Sequence, residues 1–495
     1  MTSIDCWIEH WARRRPSHTA IALPEGDLSW FDLSHRVHLT ARAIAHAGVG
    51  RGDRVALLAG DGSLILEALF AAARLGASIV PLNTRLTAHE LGVVLGDAEP
   101  RLLIADDPHG DAARDALDRS AVDVELLVVD PVRGITAADG PAPPRVGRPD
   151  DVVVIAYTSG TTGTPKGAML DQRAITANAS NVTAMMDLTS RDRVLNVMPQ
   201  FHVGGLNVHS TPTLRAGGTL VQPRRFDPVA AFDELTERAT LGTLVPAMLV
   251  AVQSLPQWRS ARFTKLRALN TGSSSVPTGL IDEVHATGTP VTQIYGLTET
   301  SPLALALPAE HARDKVGSCG LAGLAVEVRL VAPDGHDVEP GEAGEIVVRG
   351  ANVTTGYWNQ PDATRAAFLD GGWFRTGDIV CTDVDGFAYI EDRRTDLIIS
   401  GGENISPAEL EAVLAEVDGI AEAVVVSSPD DRWGHVPVVV AVRADPTISD
   451  EAVLAAFDDR VARFKRPRQI RWVDRLPRTP MGKVKKHELR RHLSP

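Results

Sequence analysis

DVVVIAYTSGTTGTPKG, residues 151–167, is the stretch that decides the fold class. Val152 to Ala156 form a continuous apolar run of the kind that makes a strand buried on both faces. The run leads into a loop of Thr158, Ser159, Gly160, Thr161, Thr162, Gly163, Thr164, Pro165, Lys166 and Gly167. Glycines let backbone come close to a ligand, and N–H groups, hydroxyls and one lysine suit a cluster of phosphate oxygens. The loop does not fit G-x-x-x-x-G-K-[ST], because Pro165 stands where the second glycine is needed, so a P-loop kinase or ATPase is disfavoured.

Working outward, RVALLAG (54–60) and SIVPL (78–82) alternate with Ala/Leu-rich helical stretches, the pattern of an α/β fold with parallel strands. Ile4, Trp7, Ile8 and Trp11 have helical spacing. The most apolar window, LEALFAAARLGASIVPL (66–82), is interrupted by Arg74 and Gly76 and does not read as a membrane span. PVRGITAADGPAPPRVGRPD (131–150) predicts a surface connection between two lobes of one large domain. Residues 325–350 predict a small antiparallel β section. Ser406, Pro407 and Glu409 predict a helix start with Ser406 as N-cap and Glu409 closing a capping box. AEAVVVS (421–427), VPVVVAV (436–442) and a helical stretch ending near FKRP complete a compact unit of about 100 residues. The expected map is a large N-terminal domain of layered α/β subdomains over 1–392, a hinge at 393–396, and a small mobile α/β C-terminal domain over 397–495.

The chain has 495 residues, with 50 Lys plus Arg against 63 Asp plus Glu, a net charge of −13. Such a chain lacks the electrostatic footprint of a nucleic-acid binder. Cys6, Cys319 and Cys381 lie far apart and form no metal-ligand or disulfide pattern. The N-terminal residues carry no continuous apolar segment of a secretion signal, and a cytoplasmic location is expected.

With its Thr/Gly loop, the sequence resembles the adenylate-forming superfamily, which includes acyl- and aryl-CoA synthetases, luciferases and the adenylation domains of peptide synthetases. Further family motifs follow in order: GSSSV (272–276), YGLTET (295–300), WFRTGD (373–378), DRRTDLIISGGENISP (392–407) and PRTPMGK (477–483). The resemblance implies that Thr158 to Thr164 and Lys166 hold ATP phosphates. It implies an adenine site from Gly272, Ser273, Ser274 and Tyr295, extended by Gly296 and Thr298. Glu299, with Thr158 as hydroxyl partner, would hold Mg²⁺, oxygen donors suiting that ion. Asp378 and Arg393 would bind the ribose, an acceptor and a forked donor. Lys483 would stabilise the α-phosphate and the attacking carboxylate. In the family the small domain rotates after adenylation, and Gly401 and Gly402 would line a pantetheine tunnel. Thr395 stands where relatives carry Asp or Lys, which leaves the pivot open between Thr395 and Asp396.

MPQFHVGGLNVHS (198–210) resembles the family's acyl-pocket helix, with His202 near the reacting carboxylate and Val203, Gly204, Gly205 and Asn207 along the wall, joined by Ser301. His202 has only His209 as a conceivable metal partner, seven residues on, and reads as a gate or a packing residue. Amino acids are disfavoured because His202 replaces the Asp that would bind an α-amine. Dicarboxylates are disfavoured because Gln293-Ile294 precedes Tyr295 without an Arg. Two adjacent glycines favour a wide acid over a thin chain. The reading is an ATP- and Mg²⁺-dependent ligase joining an apolar monocarboxylate (fatty, aryl, alicyclic or polycyclic) to coenzyme A through an acyl-AMP. Transfer to an acyl carrier protein, a luciferase-like oxygenase and a non-catalytic binder are the rivals, and a homodimer is a family-level expectation.

Overall fold

The computed structural model describes residues 3–491 except 137–139, 159–164, 274–275, 334, 340, 394–396 and 478–483. Two large sheets carry the first three hundred residues. In the six-stranded sheet the order is Glu125–Val129, Leu102–Asp106, Arg54–Leu58, Ser78–Pro81, Val152–Thr158, Lys166–Asp171. All neighbours are parallel except the last pair, in which Thr158 faces Lys166 across the antiparallel ladder. The nine-stranded sheet has a parallel centre built from strands between Thr19 and Tyr295, with antiparallel strands added at both edges.

Between these sheets lies helix Leu64–Leu75, buried at every position but Arg74. A helix buried almost all round, here with its one carboxylate, Glu67, paired to Arg36, belongs in an interior, and it packs in one cluster with Val55, Leu57 and Ile79 from the first sheet and Ile21 and Leu220 from the second. Among the described residues no helix is long and apolar enough to cross a membrane.

Segment 131–150 does not join two lobes as its composition predicts. It leaves one strand of the six-stranded sheet at Val129 and returns to another at Val152. Specific anchors hold it against two helices: Arg145 binds Asp5 and Glu9 at the N-terminal helix Cys6–Arg14, and the Val146 and Gly147 amides donate to Arg74 O of helix Leu64–Leu75. A Cβ at Gly147 would run into the carbonyl of Ala73, so the chain there lies directly on the helix backbone.

Val326–Val331 and Gly344–Gly350 pair antiparallel, as expected, in a five-stranded sheet that also contains Trp373–Thr382 and Ala388–Arg393. A fourth sheet follows, with Ile420–Asp430 and Gly434–Arg443 as its long antiparallel pair. Helix Pro407–Leu414 does begin with Pro at its first position, but the predicted capping box is absent: the Ser406 hydroxyl caps nothing, and the Glu409 carboxylate turns instead to Lys465.

The nine-stranded sheet encloses a polar cluster. His209, fully buried in the π-helical turn Gly204–Ser210, meets the Thr243 hydroxyl and accepts from Asn270 Nδ2 at 3.3 Å, while Thr292 donates to Asn270 Oδ1. Burial pulls the His209 pKa down to about 4. The unfolded chain therefore takes up a proton near pH 6.5 that the fold refuses until about pH 4, and stability falls on acidification through that window by about 1.4 kcal/mol per pH unit. Urea unfolding of wild type and His209→Gln at pH 7.5 and 4.5 should show a smaller acid loss in the variant; equal losses would mean that His209 does not titrate in this window.

Candidate active site

The strand ends of both large sheets and the five-stranded sheet converge on one group of polar side chains. Thr158 ends its strand with its hydroxyl 3.4 Å from Lys166 O. Ser159, Gly160, Thr161, Thr162, Gly163 and Thr164 fall outside the described residues, as does Ser274. Lys166 opens the returning strand, its Nζ 5.4 Å above the ring of Tyr357. Gly272 ends a parallel strand so close to Ile294 O that a Cβ would collide, and Ser273 follows with φ 67°. Tyr295 donates from Oη to Asp378 Oδ2 at 2.9 Å, both residues buried, and Asp378 faces Arg393 in the neighbouring strand's register. Gly296 lies against Pro302 O, where no side chain fits.

Glu299 sits with Thr298 in a single turn just after this strand. Its carboxylate is buried and accepts from Tyr357 Oη at 2.8 Å. Burial pushes its pKa above the usual carboxylate range, against the pull of Tyr357 and Lys166. A carboxylate kept out of water beside a cation and a strand-end loop marks a functional site. Sequence reading missed Tyr357, whose stretch TTGYW carries no spacing signal of its own.

A second cluster lies where the C-terminal sheet meets the large sheets. Gly401 and Gly402, with φ of 59° and 87°, turn the hairpin between Ile398–Ser400 and Glu403–Ile405. This turn aims Glu403 inward, where His202 Nε2 lies 2.8 Å from Oε2, Arg85 donates at 2.7 Å to Oε1, and Asn83 donates at 3.4 Å. Burial alone would raise the Glu403 pKa; His202, Arg85 and Lys465 outweigh it and hold the carboxyl below its ordinary range. Nearby Asp61 is pushed up to about 6 by burial. Sequence reading named the two glycines and His202 but not Glu403, Arg85 or Asn83.

Val203, Gly205, Asn207 and Ser301 are buried, and Gly204 is half-buried. The two glycines have different reasons. A Cβ at Gly205 would collide with the carbonyls of Met198 and Pro199, whereas one at Gly204 would meet only Met198 Cε at 3.8 Å. The pair thus makes one place for a side chain, not two. Lys483 lies outside the described residues. Between the two parts of the molecule a cleft of about 270 Å³ joins Thr158, Thr298 and His202 on one side to Glu403, Asn404 and Phe464 on the other.

Sequence comparison gives the class. The AMP-binding enzyme family profile matches residues 8–358 and the AMP-binding enzyme C-terminal domain profile matches 409–483. The chain belongs to the AMP-binding enzyme family. It is 44% identical over 496 residues to the indoleacetate–CoA ligase of Aromatoleum aromaticum, spanning 98% of this chain and 97% of the relative. A feruloyl-CoA synthase from an Amycolatopsis species is 41% identical over 487 residues, covering 98% of each chain. Among solved structures, a double mutant of o-succinylbenzoate CoA synthetase from Bacillus subtilis, bound with a product analogue, matches with a TM-score of 0.88 at 30% identity over 98% of both chains.

Gly205→Ala should lower the melting temperature and abolish activity together. Gly204→Ala should keep the wild-type melting temperature and change which acids are accepted, read as KM across an acid series. Equal tolerance of both substitutions would contradict the backbone contact at Gly205.

Proposed function

We propose that the chain is an ATP-dependent carboxylic acid–CoA ligase whose acid is an apolar, aryl-type monocarboxylate. In the first step a carboxylate oxygen attacks the α-phosphorus of ATP, forming an acyl-AMP as pyrophosphate leaves. In the second the sulfur of CoA attacks the acyl carbon, the acyl–oxygen bond breaks, and AMP and a proton are released. The observation that carries the reading is the cleft, whose lining runs from Glu403 and Asn404 of the C-terminal hairpin to Thr158, Thr298 and His202. Catalysis of this kind rests on charge stabilisation and positioning and needs no protein nucleophile.

The roles proposed for the residues combine the family resemblance with the contacts above. Tyr295 presents its ring beside Asp378, which suits a purine and the ribose hydroxyls next to it, with Arg393 across the ladder. Thr158 and Glu299 offer only oxygen donors, and a buried carboxylate short of solvation fits a hard divalent cation. Mg²⁺ bound there would neutralise phosphate charge. Tyr357 holds the Glu299 carboxylate in place. His202, fixed between Phe201 and Glu403, closes the acid's end of the site. By the family resemblance Lys483 would supply a point charge to the α-phosphate, and a hinge at 393–396, of which 394–396 lie outside the described residues, would separate a 1–392 domain from a 397–495 domain. The names of the two curated relatives, which concern indoleacetate and ferulate, favour a ring-bearing acid over a fatty chain.

Pyrophosphate release measured with indoleacetate, ferulate, benzoate and octanoate, with and without CoA, should be largest for the ring acids, with the matching acyl-CoA seen by mass spectrometry. Adenylate without acyl-CoA would shift the acceptor to a carrier protein; no adenylate from any acid would overturn the proposal. Lys483→Ala should abolish pyrophosphate release while sparing thioester formation from supplied acyl-AMP, and equal loss of both steps would remove the role given to Lys483.

A further inference from the structure

Beside the Glu403 cluster a second set of charges crosses between the two parts of the chain. Lys465 Nζ, in the short turn Arg463–Lys465, donates at 2.7 Å to Glu90 Oε1 and at 2.7 Å to Glu409 Oε1. Glu90 belongs to helix Ala88–Ala98 of the large N-terminal region, and Glu409 to helix Pro407–Leu414. The ammonium is almost completely buried, with 8% of its side chain exposed. Glu90 keeps its own helix cap as well: its Oε2 accepts from the Thr87 amide and hydroxyl. Glu409 gives its cap up, leaving the Ser406 hydroxyl without a partner. A side chain that abandons the local bond its sequence favours, for a buried ion pair across an interface, is under a constraint from outside its own helix.

The C-terminal sheet explains what this interface excludes. Ile405, Leu410 and Leu414 pack with Val425 and Val439 on one face, the face of the helix that holds Glu409. Val424, Val426 and Val440 point to the other face, where Leu476 and Val484, the near neighbours of segment 478–483, pack with Leu489. While Glu409 and Lys465 lie against Glu90, the chain on either side of residues 478–483 is rooted on the opposite face. One face of this sheet can meet the Thr158–Glu299 site only if the other leaves it.

We propose that Lys465, bridging Glu90 and Glu409, is a charge latch that holds the C-terminal unit in the arrangement for thioester formation and is released for adenylation. This rests on the ligase reading above. Lys465 acts as a positioning residue, and its removal leaves two buried carboxylates facing each other. Breaking one partner out of a buried charge set is costly, whereas neutralising the whole set is not.

The test uses the full chain with indoleacetate as acid and follows two half-reactions separately: indoleacetate-dependent ATP–pyrophosphate exchange without CoA, and single-turnover transfer from enzyme-bound acyl-AMP to saturating CoA. K465M should slow transfer at least about tenfold and leave exchange within about twofold. The neutral triple variant E90Q/K465M/E409Q should recover most of the lost transfer, and K465R, which keeps the charge and guards against a K465M that fails to fold, should transfer faster than K465M. Equal loss in both half-reactions, unchanged transfer, a loss cured by more CoA, or a triple variant no better than K465M would each overturn the latch. Wild-type chain that performs no exchange would instead overturn the ligase reading with this acid.

Discussion

Helix Leu64–Leu75 is buried on every side but at Arg74, and this one constraint organises the large region of the molecule. A helix that must be covered all round needs a layer on each side, and the two sheets supply them. The segment just before the helix is held to the same architecture. Gly62 N donates to Gln200 Oε1 at 2.9 Å and Gln200 N donates to Asp61 Oδ1 at 2.7 Å, tying the helix entry to the stretch that carries Phe201 and His202. The stretch that carries His202 is thus tied to the entry of the helix that the two sheets share.

The polar site is assembled at the place where that packing runs out. Parallel strands end at Thr158, Gly272 and Tyr295, and ligands in open α/β sheets gather outside such strand ends. The five-stranded sheet then adds Asp378, and the turn that follows Asn352 adds Tyr357. Each carboxylate brought inside has a donor waiting: Tyr295 for Asp378, Tyr357 for Glu299, His202 and Arg85 for Glu403. Such preorganised pairs hold charge in fixed positions, which is how an enzyme without a nucleophile stabilises a transition state.

Much of this was legible in the sequence because strands, glycine-rich turns and ordered motifs are local. The Val152–Thr158 strand, the 326–350 hairpin and the Pro407 helix start all follow from short-range pattern. What the sequence hid depends on partners far along the chain. Glu409 sits at an ideal capping position, yet a lysine 56 residues later claims it. The Pro/Gly-rich stretch 131–150 looks like a linker because composition cannot show that Arg145 will meet Asp5. Gly204 and Gly205 look equivalent until the carbonyls of Met198 and Pro199 are placed beside one of them. Tyr357 and Glu403 escape for the same reason, since each gains its partner from a residue far along the chain.

Charged side chains cross between the two parts of the chain, and that choice has a physical logic. A purely apolar interface would be opposed in opening by the whole hydrophobic term, because exposed apolar surface gains nothing from water. Arg85 and Lys465 against Glu90, Glu403 and Glu409 behave otherwise: apart, each ion recovers its hydration, which offsets most of the lost attraction. The same ions demand close geometry when together, so the closed arrangement is well defined although it is not deeply stabilised. Specific contact with a small net free energy suits the alternation proposed above for the C-terminal unit.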